Sequence, residues 1–141
     1  MTPEQITLVR DSFALVLPVA ETAAALFYRR LFELDPALRP LFRGDMGAQG
    51  RALMGAIRVV VHSLDRLDDI VPAVQALGRR HAGYGVAPEH YATVGTALLW
   101  TLEQGLGDAF TPAVQEAWAT AYTLLAGTMQ RAAYPDTAAA A

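Results

Sequence analysis

The sequence predicts an all-α fold of seven to eight helices in one domain, and three observations carry that prediction. Apolar residues recur at three- and four-residue steps through nearly every segment, and no run alternates at a period of two. Prolines stand where the periodic runs begin, at Pro3, Pro18, Pro36, Pro88 and Pro112, and glycine-containing turns separate several of them. Hydrophobic residues make up 53% of the 141 positions and charged residues 18%, enough apolar material for one buried core.

The first helix should begin after Thr2, with Pro3 in its first turn and Gln5 closing a capping box. Its apolar stripe comprises Ile6, Val9, Phe13 and Val16. Pro18 marks a break before a second helix over about 19–34, carrying Leu26, Phe27 and Leu31. "DPALRPLF" reads as a short helical turn from Pro36 that ends near Pro40. "RGDMG" is a glycine-punctuated loop, and the helix after it, 47–64, has a stripe of Gln49, Leu53, Ile57 and Val60. Residues 72–82 form a further helix with Val74, Leu77 and His81 on one side. Pro88 opens a long helix to about Leu106, and "GDAFTP" turns into the last helix, about 112–133. Neither a repeat nor a linker divides the chain, so 1–141 is expected to be a single domain with 1–2 and 135–141 frayed.

Composition narrows the function classes. No run approaches the roughly 18–20 uninterrupted apolar residues of a membrane span, and "MTPEQITLVRDSF" lacks the basic start and apolar block of a secretory signal. Without cysteine there is no disulfide framework, thiolate metal site or cysteine nucleophile. A cytoplasmic protein is the expectation. Net charge is −3, and the eleven basic residues, all arginine, are scattered rather than gathered into the basic face that nucleic acid requires. A small anionic ligand held by a few arginines is compatible with that distribution.

The familiar enzyme constellations are missing. "GDMGAQG" has three glycines but neither the dinucleotide-binding spacing nor a preceding strand, and there is no P-loop. Ser12 and Ser63 do not sit in a nucleophile elbow. His62, His81 and His90 lie 19 and 9 residues apart, with no i,i+4 pair of the helical zinc kind. Asp65, Asp68 and Asp69 beside Arg66 read as a solvated face.

His81, in "RRHAGYGV", is the residue that asks for an explanation. Steps of three and four from Val74 reach Leu77 and then His81, which puts the ring on the apolar side, and Gly83 and Gly85 then let the chain turn away. Such a histidine can be a hydrogen-bonded core residue or a ligand. On the 47–64 helix Gln49 stands in line with Leu53, Ile57 and Val60. Two polar groups on facing apolar stripes suit a flat apolar cofactor gripped by a histidine, of which haem is the obvious case. A plain bundle with Gln49 exposed at its helix start is the competing account, and periodicity does not choose between them.

The segments "ALFYRRLFELDPALRPLF", "QGRALM", "LGRRHAGYGVAPEHYATVG", "LLWTLEQGLGDAFT" and "AWATAY" resemble a bacterial single-domain globin, akin to the haem domain of flavohaemoglobins. The resemblance covers about residues 3–134 in order and spacing. It implies the globin fold, with seven to eight helices around a haem pocket, and haem b as cofactor. By the same resemblance His81 is the proximal iron ligand, its other ring nitrogen donating to a backbone carbonyl near Leu77. Phe42 is the phenylalanine stacked on the haem, Tyr28 the distal tyrosine, Gln49 the distal glutamine, and Leu53 the apolar residue one turn on. Leu77, Val86, Tyr91 and Val94 join the cofactor-binding set. Arg80 is a candidate for a haem propionate, with Arg43 and Arg51 weaker ones. His62, about 220° around its helix from Gln49, and His90, at a helix start, are assigned to the surface or to capping.

The implied function is reversible binding of O2, and of other diatomics such as NO or CO, with high O2 affinity from Tyr28 and Gln49 as donors. The alternative is nitric oxide dioxygenase activity using a separate reductase. In the flavohaemoglobin pattern a glutamate on the last helix helps to polarise the proximal histidine. Here that position is Ala133, so the charge is missing although Tyr91 is present. A monomer or weak homodimer is expected.

Overall fold

The computed structural model describes residues 1–134. Six α-helices account for most of them: α1 Pro3–Val16, α2 Ala20–Leu34, α3 Met46–His62, α4 Val71–Gly83, α5 His90–Leu106 and α6 Pro112–Ala133. No strand occurs among the described residues. The all-α expectation stands, but the count of α-helices is six rather than seven to eight. Four short segments, Leu17–Val19, Pro36–Leu41, Leu67–Asp69 and Gly107–Ala109, are 3-10 turns instead. Pro40 supplies the reason at one of them. It has no N–H to give an α-helical bond, and the segment closes with the tighter bond from the Phe42 N–H to the Arg39 carbonyl, 3.1 Å.

The ends follow local chemistry. Thr2 and Gln5 form the predicted capping box, with the Gln5 N–H on the Thr2 hydroxyl at 3.1 Å and the Thr2 N–H on Gln5 Oε1 at 3.0 Å. Met1 packs against the core beside that cap. Asp45 caps α3 through the Gly47 N–H at 2.9 Å, and Thr111 caps α6 through the Val114 N–H. Pro88 and Glu89 form a turn, so α5 starts at His90. Residues 135–141, expected to fray, lie outside the described residues.

Helix packing sorts the molecule into walls. α1 lies on α6, α3 and α5; α2 lies on α5 and α3; α4 packs most heavily on α6. A cluster around Val9, Phe13, Val16, Leu102, Ala117 and Trp118 anchors the N-terminal half. At its centre Trp118 Nε1 donates to Ser12 Oγ at 2.8 Å, and that hydroxyl donates to the Leu8 carbonyl at 2.6 Å, so no donor is stranded in this core. One stretch of the described residues, Pro3–Leu34, is long and apolar enough to cross a membrane. It breaks at Pro18 and sends Val9, Phe13, Val16, Phe27 and Leu31 into the core instead.

The α4–α6 crossing is the tightest in the fold. A Cβ placed on Gly78 would lie 2.4 Å from the Met129 carbonyl oxygen and 2.7 Å from its Cα, which is backbone and cannot swing aside. Gly78→Ala should therefore lower stability by about 1–3 kcal/mol, the usual cost of overpacking. Gly55→Ala, where a Cβ meets nothing within 4 Å, should instead gain up to about 1 kcal/mol of helix propensity. Urea denaturation of the two variants checks the opposite signs.

Candidate functional site

Two apolar clusters are built around α5, which contributes residues to both. On one side Phe27, Tyr28, Leu31, Leu38 and Ala97 are buried, with Phe42, Leu53, Val94 and Leu98 half-buried against them. On the other Val74, Tyr91, Ala126 and Met129 are buried, with Leu77, Val86, Tyr122 and Tyr134 half-buried. Tyr91 belongs to the second cluster while Val94, Ala97 and Leu98 belong to the first. The helices bearing Leu53 and His81, α3 and α4, have their main packing on different partners. Large apolar side chains left half-exposed on both sides of one helix mark a cleft that takes an apolar ligand.

His81 stands in the last turn of α4, half-buried. Its Nδ1 lies 2.8 Å from the Leu77 carbonyl, four residues back. A carbonyl only accepts, so Nδ1 carries the proton, and in the neutral ring Nε2 is the lone-pair nitrogen. The chain turns away directly afterwards: the Val86 N–H bonds the His81 carbonyl at 3.1 Å, and Gly85 adopts φ +97°, a conformation open to glycine. Tyr134 ties the same turn to the end of α6 by donating to the Val86 carbonyl.

Across the cleft Tyr28 is buried in an aromatic group. Phe42 meets it edge-on with ring centroids 5.3 Å apart, and Phe32 lies 6.2 Å away at 27°. The Tyr28 hydroxyl donates to the Gln49 backbone carbonyl over 3.4 Å, a long bond that leaves the donor easily redirected. Burial pushes its pKa up to about 12, with the neighbouring Gln49 amide pulling the other way. Tyr28 is thus a neutral donor throughout the physiological range. Because its pKa rises on folding from 10.0, its protonated form contributes stability that is intact below pH 10 and lost as the pH climbs through about 12.

The remaining polar candidates fall at the surface, and of the two accounts left open for Gln49 the exposed one holds. Gln49, in line with an apolar stripe, is exposed rather than buried, because it lies in the first turn of α3 at the rim of the cleft. Arg80 and Arg43 are exposed, and Arg51, also exposed, reaches Asp45 only at 3.9 Å. His62 is exposed, while His90 Nδ1 accepts from the Ala87 N–H at 2.9 Å as a local cap. Phe32 was not singled out, although its position four residues after Tyr28 puts it on the same helix face. Tyr122 and Tyr134 were missed as well, since what they touch is remote in sequence. Tyr122 donates to the Tyr91 backbone carbonyl at 2.6 Å.

The Tyr91 hydroxyl is buried and has no hydrogen-bond partner among the described residues. Burial raises its pKa, and the adjacent Tyr134 adds to the effect. Ala133, half-buried nearby in sequence to Tyr134, carries no group to accept from it.

The donor set also limits what the cleft can hold. No group of three His, Cys, Asp or Glu able to bind a metal ion occurs among the described residues. A bare cation would therefore lack ligands. A metal already held in the plane of a large apolar ring needs only one axial nitrogen, and His81 Nε2 has that character. Residues and group fit.

A family model described as Globin matches residues 25–129. The chain belongs to the globin family. Among relatives, a flavohemoprotein of Xylella fastidiosa is 36% identical over 132 residues, covering 92% of this chain and 33% of that protein. One from Bacillus subtilis is 33% identical over 124 residues, with 86% and 31% covered. This globin thus spans about a third of the length of the curated relatives it matches. Among solved structures, a bacterial globin from Campylobacter jejuni aligns with a TM-score of 0.82 at 26% identity, covering 96% of this chain and 99% of that one. A Rhodothermus marinus protein, described as a nitric oxide dioxygenase and engineered as a carbene transferase, aligns with a TM-score of 0.85 at 28% identity, covering 99% and 98%. The all-helical globin fold expected from the sequence is the fold found.

The stranded Tyr91 hydroxyl makes a direct prediction. Tyr91→Phe should leave stability unchanged or raise it by about 1 kcal/mol, because an unsatisfied buried donor is removed. Tyr122→Phe removes the hydroxyl's bond to the Tyr91 carbonyl, which keeps its helical N–H partner, and should cost about 1 kcal/mol. Chemical denaturation of both variants distinguishes them.

Proposed function

We propose that this globin binds haem b in the cleft and holds O2 reversibly there, with His81 as the protein ligand to iron. One observation carries the reading: the 2.8 Å bond from Nδ1 to the Leu77 carbonyl, which fixes the tautomer whose Nε2 ligates a metal. Haem supplies the redox-active iron at which a diatomic ligand binds. Phe42, Leu53, Leu77, Val86, Tyr91 and Val94 are the cofactor-binding set that accompanies His81, and the half-burial of five of them accords with a wall that a flat ring would cover. Arg80, exposed beside His81, is the proposed partner of a propionate.

The Tyr28 hydroxyl and the Gln49 amide are the distal donors. O2 gains negative charge when held at ferrous iron, and a neutral donor aimed at it from a buried site opposes its release. Tyr28 meets those conditions through its burial, its raised pKa and its weakly held hydroxyl. Gln49, exposed at the rim, is the second donor, its amide beside the Tyr28 hydroxyl. Leu53 and Phe42 keep water from the same space. The neutral carbonyl partner of His81, with Ala133 where a carboxylate would strengthen the push on iron, favours binding over cleavage of a bound O–O bond.

A second reading rests on likeness to the Rhodothermus protein and to the flavohemoproteins. It is nitric oxide dioxygenase activity, with a separate reductase regenerating ferrous iron. Sustained consumption of NO with an added reductase supports it, and a single stoichiometric turnover does not.

The first reading is tested by the visible spectrum of the haem-supplied protein beside His81→Gly. A ferrous and CO-bound spectrum that is lost in the variant and restored by added imidazole is expected. Stoichiometric haem uptake with an unchanged spectrum in the variant would rule His81 out as the ligand. Tyr28→Phe should speed O2 release by about ten- to a hundredfold, the worth of one charge-assisted hydrogen bond, measured by stopped-flow displacement.

A further inference from the structure

Outside the cleft, α2 and α3 diverge to leave a groove of about 730 Å³. We propose that it binds an aromatic phosphomonoester, a planar apolar body carrying one phosphate, on the α2–α3 face, which meets the cofactor cleft at Tyr28. The volume lies within the range of small-molecule sites, about 300–1,000 Å³. Its floor is made by small residues, Ala20, Ala24 and Gly50, and by the aromatic rings of Tyr28 and Phe32. Phe32 stacks on the buried Tyr28 ring at 27° and is itself half-buried, so its ring is the one on which another flat group can lie. Arg39 already does so with its guanidinium, 5.2 Å from the Phe32 ring centroid.

Charge selects the head group. Arg39, Arg51 and Arg58 line the groove against one carboxylate there, Glu21, in a chain whose net charge is −3. Arg58 makes no ion pair among the described residues, and the Arg51 contact to Asp45 is long and exposed. Forked guanidinium donors match a phosphate better than they match a single point charge, and a phosphomonoester carries about −1.5 to −2 at neutral pH. This concentration of positive charge was not legible as a motif, because Arg39 and the α3 arginines come from separate segments.

The proposal stands apart from the haem reading and has its own test. Flavin mononucleotide is titrated calorimetrically into the protein as purified with its cofactor. One nucleotide per chain is expected to bind, about tenfold more weakly in Arg58→Gln, with riboflavin and inorganic phosphate each weaker than the whole molecule. Gly55 lines the groove and faces open space, so Gly55→Trp should fill it without disturbing the fold and abolish binding. The visible spectrum and the melting curve of that variant should match those of the unmodified protein. Binding that survives Gly55→Trp, riboflavin binding as tightly as its phosphate, or no saturable heat would overturn the proposal. Decanoate competing as well as the nucleotide would also overturn it, assigning the groove to acyl anions.

Discussion

The site depends on how closely α4 can approach α6. At Gly78 the two backbones meet with no space for a side chain. α4 has its most extensive packing on α6, so this crossing sets the position of the helix that carries His81 one turn later. Rigid packing of this kind fixes where the His81 ring can stand. The turn after His81 is secured from the same helix, through the Tyr134 hydroxyl on the Val86 carbonyl. The proximal wall is therefore organised from α6, although its functional atom belongs to α4.

The distal wall is built differently. α2 and α3 approach closely at Ala24 and Gly50 and then separate. Tyr28 lies on the α2 side of that divergence, pinned by Phe27, Phe32 and Phe42 but only weakly engaged at its hydroxyl. Rigid aromatic packing fixes where the donor is, and a 3.4 Å bond leaves it available to a ligand. Gln49 has the opposite character, with an exposed side chain and few constraints.

A small apolar cavity of about 20 Å³ lies behind Leu53, Phe27 and Leu98, where the distal cluster meets the core around Trp118. It is about large enough for one water molecule, yet its lining offers no set of polar partners to hold one. Uncharged diatomics tolerate such a space where water does not. The proximal side instead contains three tyrosines, of which Tyr122 and Tyr134 are satisfied by backbone carbonyls and Tyr91 is not. An orphaned hydroxyl beside a helix that ends in alanine is consistent with a histidine polarised by a neutral carbonyl alone.

Local chemistry determined much of this protein. The capping box at Thr2, the break at Pro18 and the long helices were legible because each rests on residues a few positions apart. The phase of His81 relative to Val74 and Leu77 was legible for the same reason, since a helix repeats every 3.6 residues. Its identity as a ligand drew on resemblance, because periodicity places a side chain without saying what it touches. Other features had no local signal. Gly78 looks like any glycine in a helix until Met129 lies against it, and Tyr122 finds its acceptor 31 residues away on α5. Gln49 shares a stripe with half-buried residues but is itself exposed, because burial is decided by what covers a face and not by the phase of the helix. The arginine-lined groove likewise exists only once α2 and α3 diverge. Periodicity and caps are short-range properties of the chain, whereas close crossings, clefts and charge clusters belong to helices brought together by packing.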